Sequence, residues 1–424
     1  MNTTLDLIYQ LIEDSRLVEL IQALDGEQLL QVIDHVGVED AGDFMLLASP
    51  TQLTQIFDNV FWKNSKPGGR EQFDPHQFAL WLEIAWEHSA DTAKKIINDI
   101  DDELLTLGLA ENLIVIDHES FLLRMQNSAR SFEDDLLDKL LDSDRLMEWS
   151  NYFIIPRTGT SWDAIIAILV DIDNEDSDRV NRMLETINHI STEYIQDNGE
   201  LYQVLTSCEM LESDLAAARE GRREKQGYVS PESAVAFLQQ AQITTLDELI
   251  SSPKYDYLTS CYFAAFSPTE RAQMRSKTSR TGVLEYISNS FPGTGYQFSD
   301  TAKKVSLGIE KLPMEPEKKT PQADITSALQ LIKREEPQNF NKYIYELNYL
   351  ANVLIAGDIS TNRQLTPVEA AERTIQVCQA GVLHILDSGQ KIHPHSIKQQ
   401  IFNNGLVKLF RIGWNITASS RNQE

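Results

Sequence analysis

Three short segments near the start of the chain begin in the same way and at nearly the same spacing. Each has a side-chain oxygen at a helix N-cap position, a glutamine three residues later and then an apolar residue. The segments are Asp25–Leu29, Ser49–Leu53 and Asp74–Phe78, and their starts lie 24 and 25 residues apart. A repeat of this length is typical of stacked helical units whose neighbours cover one another's apolar faces. The sequence therefore predicts an N-terminal superhelical stack of short helix pairs.

The rest of the chain also favours helices, because few turn-forming residues interrupt its apolar periodicity. Only 19 of the 424 residues are glycine and 14 are proline, which argues against a β-sandwich. We expect an all-α protein with three regions. These are the superhelical stack over 1–125, an acidic helical middle region over 126–225, and a C-terminal helical domain over 226–424 with a linker near 299–323.

Acidic residues are concentrated in the first half of the chain. Residues 1–200 hold 40 Asp and Glu against 13 Lys and Arg, a net charge of −27, whereas residues 201–424 hold 24 of each. A negative field of this size repels nucleic acid and anionic membranes. It attracts a basic protein partner, although it would also serve to keep the protein in solution.

Cysteine usage and hydropathy indicate a cytoplasmic protein without membrane insertion. Cys208, Cys261 and Cys378 are far apart in sequence, as is usual for thiols in a reducing compartment. The first residues lack the basic region of a signal peptide. The longest apolar runs, such as Tyr349–Ala356, are much shorter than the ~20 residues that span a bilayer.

One acidic segment begins like a calcium-binding loop. Residues 171–178 place carboxylates at loop positions 1, 3 and 5, but position 6 is Asp176 instead of glycine and position 12 is Arg182 instead of glutamate. An EF-hand is therefore not expected. Two interpretations remain open, a solvated turn between two helices and a loose divalent-cation cluster. The candidate metal ligands are Asp171, Asp173, Glu175 and Asp178.

The sequence contains no recognisable catalytic motif. The GxSxG, Walker A, GxGxxG and HExxH patterns are all absent from it. His393 and His395, with His384 upstream, form the tightest histidine cluster, and they leave open an enzyme of unrecognised chemistry in the C-terminal domain. We expect no cofactor and name no catalytic residue.

Four residues are candidates for contacts with a partner, namely Asn352, Arg411, Trp414 and Trp62. Asn352 lies in an apolar run, where its amide either hydrogen-bonds internally or lines a groove. Arg411 lies beside Phe410 and close to Trp414, so it either stacks on an aromatic ring or binds a ligand. Trp62 is either a core residue or an interface anchor.

Several segments resemble an uncharacterised family of bacterial all-helical proteins. They are His35–Ala41, Leu46–Leu53, Phe57–Asp58 with Trp62, Glu346–Gly357 and Leu409–Trp414. The resemblance covers most of the chain and implies an all-α fold, but it implies no activity. The N-terminal repeat is also similar to the superhelical cytosolic domain of bacterial magnesium transporters, since both have short helices that begin with a cap and end in an acidic residue.

Together these patterns favour a non-enzymatic cytoplasmic scaffold or regulatory protein. It would bind a protein partner through a helical-repeat surface, and the acidity of the first half of the chain favours a basic one. The alternatives are a divalent-cation-responsive regulatory module and an enzyme whose chemistry lies in the C-terminal domain.

Overall fold

The computed structural model describes most of the chain and divides it into two compact units. The described residues are 17–64, 68–119, 146–157, 161–196, 206–264, 324–360, 363–386 and 392–421. Unit 1 comprises Met1–Lys63 and Gln72–Arg219, and unit 2 comprises Asn64–Glu71 and Glu220–Glu424.

The three regions predicted from the sequence stay a prediction. The predicted boundary at residue 125 and the predicted linker near 299–323 both lie outside the described residues.

Unit 1 is built mainly from helices. Its helices are α1 (Leu17–Gln22), α2 (Gly26–Val36), α3 (Gly42–Leu47), α4 (Pro50–Val60), α5 (Pro75–His88), α6 (Ala90–Asp99), α7 (Asp102–Asn112), α8 (Trp162–Glu175), α9 (Ser177–Gln196) and α10 (Ser207–Gln226), the last of which continues into unit 2. Its strands are β1 (Trp62–Lys63), β2 (Gln72–Phe73), β3 (Leu113–Asp117), β4 (Met147–Trp149) and β5 (Tyr152–Pro156). The sheets are small, so the predicted all-α class is confirmed.

The three helix starts predicted from the repeat are also confirmed. Asp25, Ser49 and Asp74 are the N-caps of α2, α4 and α5, and each accepts a hydrogen bond from a backbone N–H of the first turn. At Asp25 and Ser49 the glutamine three residues later completes a capping box by accepting from the N-cap backbone.

Glutamine side chains of α4 also join neighbouring helices. Gln52 Nε2 donates to the carbonyl oxygens of Ile21 (2.7 Å) and Leu24 (2.8 Å) at the end of α1. Gln55 Oε1 accepts from the backbone N–H of Gly26 (2.8 Å) at the start of α2. These bonds satisfy backbone groups that helix ends leave unpaired. They support close packing of successive helices, and the superhelical arrangement stays a prediction.

A three-stranded antiparallel sheet, in the order β3–β5–β4, was not expected from the sequence. On the side of β3 away from β5, Ser191 Oγ and Asn188 Oδ1 of α9 accept from the N–H groups of Val115 and Asp117, both at 3.1 Å. The helix therefore covers this sheet edge, which would otherwise be open to pairing.

Unit 2 is helical throughout its described residues. After the end of α10, its helices are α11 (Pro231–Ile243), α12 (Leu246–Ser251), α13 (Tyr257–Ala264), α14 (Ile325–Glu335), α15 (Pro337–Gly357), α16 (Pro367–Ile385), α17 (Pro394–Asn404) and α18 (Leu406–Arg421). Ser230 and Thr366, each followed by proline, are the N-caps of α11 and α16, and their side chains accept from a backbone N–H of the first turn.

Helix α18 forms the centre of unit 2, because every residue from 406 to 415 is buried. Its polar side chains bind the carbonyl ends of other helices. Lys408 Nζ donates to the carbonyl oxygens of Ile250 (2.5 Å) and Ser252 (2.8 Å) at the end of α12. Asn415 Nδ2 donates to three carbonyls at the end of α11, at 2.8 to 3.1 Å. Buried polar groups on α18 are thereby satisfied.

Among the described residues, no helix is both long enough and apolar enough to cross a membrane.

Candidate functional site

Two acidic segments that are about 70 residues apart in sequence meet in unit 1. The first is the junction of α6 and α7, and the second is the junction of α8 and α9. We call the two junctions, residues 94–103 and 171–179, the acidic edge. Its carboxylates are Asp99, Asp101, Asp102, Glu103, Asp171, Asp173, Glu175, Asp176 and Asp178, against the three basic residues Lys94, Lys95 and Arg179.

Two ion pairs join the junctions of the acidic edge. Lys94 Nζ lies 2.7 Å from Glu175 Oε1, and this hydrogen bond with the carboxylate raises the pKa of the lysine. The Arg179 guanidinium reaches Asp102 Oδ1 at 2.6 Å and donates to the carbonyl oxygen of Ile97 at 2.9 Å. The side chains of Lys94 and Glu175 are both exposed, whereas that of Arg179 is largely buried.

A shallow pocket of about 180 Å³ opens between the two junctions. Its apolar lining comes from Ile97 and Ile172, which are both buried. Its polar lining residues are Lys94, Asn98, Asp171, Glu175, Asp176 and Arg179. The volume is well above the ~15 Å³ that one water molecule needs, so the pocket has room for a side chain of another molecule.

The four predicted metal ligands lie on helices instead of a loop. Asp171, Asp173 and Glu175 belong to the last turns of α8, and Asp178 belongs to the first turn of α9. Because a helix turns by about 100° per residue, Asp171 and Glu175 share a face that Asp173 does not. In the ranges that the structure describes, no three His, Cys, Asp or Glu side chains converge as metal ligands. The predicted cation cluster remains a hypothesis from the sequence.

Asn352 hydrogen-bonds inside unit 2. Its Nδ2 donates to the carbonyl oxygen of Gly227 (3.1 Å), which also accepts from the Tyr262 hydroxyl (2.8 Å). The side chain is buried at 4% exposure. The amide thus links α15 to the turn that follows α10.

Arg411 lies near a buried carboxylate. Its Nε lies 4.0 Å from Asp256 Oδ2, and both side chains are about 5% exposed. Trp414 stacks on Phe410 with ring centroids 6.0 Å apart, and the guanidinium that covers the Trp414 ring, at 5.5 Å, is that of Arg373. The cation–π contact observed at Trp414 is therefore made by Arg373, and a partner contact of Arg411 stays a prediction.

Trp62 lies in the core of unit 1 at 5% exposure. Its ring packs against Phe73 with centroids 5.8 Å apart, and the buried guanidinium of Arg219 covers it at 5.1 Å. Arg219 also donates to the carbonyl oxygen of Asp58. Arg219, in the second half of α10, thus has a packing role in unit 1.

Helix α15 carries a buried carboxylate that was not predicted from the sequence and that contacts the start of α18. Glu346 is 1% exposed, and its oxygens accept from the Tyr255 hydroxyl (2.6 Å) and from the Leu406 N–H (2.7 Å). Burial raises its pKa, although these hydrogen bonds and Lys342 act in the opposite direction. Its helical register with Tyr343 and Leu350 was the signal that could have revealed it.

The three C-terminal histidines lie on the surface of the described part of the chain and do not line a buried pocket there. His384, His393 and His395 are all exposed, and the rings of the last two lie 5.9 Å apart. In unit 1, His88 contacts Asp43 (3.4 Å) and the Thr92 hydroxyl (2.7 Å), which resembles part of a catalytic triad. Thr92 is completely buried, however, and therefore cannot reach a substrate.

Comparison with known proteins gives one positive result. Residues 6–249, more than half of the chain, match the profile of a family described as "Family of unknown function (DUF6178)". No curated protein and no solved structure gives a significant match.

Proposed function

The chain belongs to the DUF6178 family of unknown function, and we propose that it is a non-enzymatic scaffold or regulatory protein that binds a basic protein partner. The observation that carries this proposal is the acidic edge of unit 1. Two separate acidic segments meet there on adjacent helix junctions and leave nine carboxylates against three basic side chains.

The charge of the surrounding unit supports the same partner. Unit 1 contains 42 Asp and Glu against 12 Lys and Arg, a net charge of −30, whereas unit 2 contains 22 against 25, a net charge of +3. A field of this sign accelerates the approach of a cationic protein and opposes nucleic acid. The proposal places the protein in the cytoplasm, outside the membrane.

We expect neutralisation of the acidic edge to weaken binding of a basic peptide. The test compares Glu103→Gln/Asp173→Asn/Asp178→Asn with a control, Glu39→Gln/Asp40→Asn/Glu87→Gln, which removes the same charge elsewhere on unit 1. Fluorescence anisotropy with a labelled nona-lysine peptide measures affinity. The edge variant should bind about tenfold more weakly at low salt, and the control about twofold.

Salt provides the second readout of the same test. Raising NaCl from about 50 to 300 mM should weaken wild-type binding strongly, because exposed charges are screened over a Debye length. Equal losses in the two triple variants would contradict a role for the edge. Salt-insensitive binding would contradict the electrostatic mechanism itself.

A divalent-cation-responsive module is the second candidate function. Its grounds are the four candidate ligands predicted from the sequence, Asp171, Asp173, Glu175 and Asp178, and the predicted similarity of the N-terminal repeat to the cytosolic domain of magnesium transporters. Binding of Mg²⁺ or Ca²⁺ to the folded state would raise the melting temperature. A melting curve unchanged by millimolar metal would eliminate this candidate.

A further inference from the structure

Lys94 and Arg179, the two cations that line the pocket in the acidic edge, each donate a hydrogen bond to a group of this chain. Lys94 Nζ donates to Glu175. The Arg179 guanidinium donates to Asp102 through Nε (2.9 Å) and to the carbonyl oxygen of Ile97 through Nη2 (2.9 Å). The two cations that line the pocket are therefore held by groups of the same chain.

The carboxylates that line the pocket can still accept further hydrogen bonds. Asp171 lines the pocket, is only partly buried, and makes no hydrogen bond to any described residue. Asp176 Oδ1 accepts from the Arg179 N–H (3.0 Å), and Glu175 Oε1 accepts from Lys94. Because each carboxylate can accept about four hydrogen bonds, a ligand that fills this pocket must bring donors and a positive charge.

We infer that the pocket receives an arginine side chain of the basic partner, with Asp171 as the principal acceptor. This inference rests on the proposed function. Asp171 and Glu175 lie one helical turn apart on the same face of α8. A planar guanidinium can donate to two carboxylates at once, whereas an ammonium acts as a point charge.

The remaining lining fits the rest of that side chain. Ile97 and Ile172 provide apolar surface for the methylene groups of an arginine, which pack on such surface while the charged end is hydrogen-bonded. The chain's own Arg179 is bound at the same edge by a carboxylate together with a backbone carbonyl. The acidic edge therefore already binds one guanidinium, that of Arg179, through oxygen acceptors.

The test compares nona-arginine with nona-lysine peptides on three forms of the full chain. These are the wild type, Asp171→Asn and the control Asp163→Asn. Asp163 is an exposed acid in the first turn of the same helix and lies outside the pocket, so the control removes an equal charge. Affinities are measured by fluorescence anisotropy at one salt concentration.

We expect the wild type to bind nona-arginine several-fold more tightly than nona-lysine. Asp171→Asn should reduce the affinity for nona-arginine about tenfold and remove the preference, whereas Asp163→Asn should change the affinity less than about twofold and retain it. Equal effects of the two substitutions, or no arginine preference in the wild type, would overturn the inference and leave the proposed function standing. Failure of both peptides to bind the wild type would overturn both.

Discussion

At the residue scale, Glu346 links the stability of unit 2 to pH. Its carboxylate faces the Tyr255 hydroxyl, the Lys342 ammonium, the Cys378 thiol and the N–H groups at the start of α18. Because burial raises the folded-state pKa of Glu346, the folded protein binds a proton at this carboxylate more tightly than the unfolded chain does. Its contribution to stability is present below the ordinary pKa of glutamate and is lost as pH rises through the raised value.

Glu346→Gln should therefore remove one pH-dependent part of the unfolding free energy. Urea denaturation between about pH 4 and pH 8 should show the difference, wild type minus variant, decreasing as pH rises. The control is Glu369→Gln, because the ion pair with Arg363 lowers the pKa of Glu369 to about 2. Its stabilisation is present above the ordinary pKa of glutamate and is lost as pH falls towards the lowered value, so the corresponding difference should decrease only at the acid end of this pH range and stay constant above about pH 6. A Glu346 difference that is constant or increasing would refute the assignment.

The sequence predicted residue roles well where the role is local. The caps at Asp25, Ser49 and Asp74 follow from residue type and spacing, because an N-cap bonds within its own first turn. The partners of Gln52 at the end of α1 could not be predicted, because they lie 28 and 31 residues upstream. The same limit applied to Arg411, whose carboxylate partner is Asp256 on a distant segment.

At the element scale, α16 and α18 cross at two glycines. A Cβ at Gly381 would lie 1.9 Å from the Leu409 carbonyl oxygen, and one at Gly413 would lie 1.9 Å from the Val377 carbonyl oxygen. Both obstacles are helix backbone, which cannot move aside as a flexible side chain does. This close approach requires glycine on both helices.

Gly381→Ala and Gly413→Ala should each lower the unfolding free energy of the protein by about 3 kcal/mol or more, since the helices must separate. Gly221→Ala is the control, because a Cβ on this glycine of α10 meets nothing within 4 Å. That substitution should instead stabilise by about 0.5–1 kcal/mol, through reduced freedom of the unfolded chain. Urea denaturation measures all three variants, and a neutral result at Gly381 and Gly413 would contradict the crossing.

Helices were easier to predict than strands for a physical reason. A helix begins with a local signal, such as Ser230-Pro231 before α11, whereas a strand requires a partner elsewhere in the chain. The run Leu113–Asp117 pairs with Tyr152–Pro156, about 40 residues later. Its β-branched residues are compatible with either structure in isolation. The acidic edge could not be predicted for the same reason, because its two junctions are distant in sequence and only folding brings them together.

At the scale of the whole molecule, the two units differ sharply in charge. Unit 1 carries a net charge of −30 and unit 2 a net charge of +3. The two halves of the sequence carry −27 and zero, so the boundary between the units separates the charge more completely than the midpoint of the sequence does. The sequence predicted the acidity and a basic partner. It could not predict where on unit 1 the carboxylates meet, because Asp102 and Arg179 are 77 residues apart.

Hydrogen–deuterium exchange of the full chain with and without nona-arginine tests the central claim most directly, because it locates the bound peptide without any substitution. If the acidic edge is the binding surface, protection should be concentrated in peptides that cover residues 94–103 and 171–179. Protection concentrated in unit 2, or spread evenly over the exposed acids of unit 1, would contradict the account.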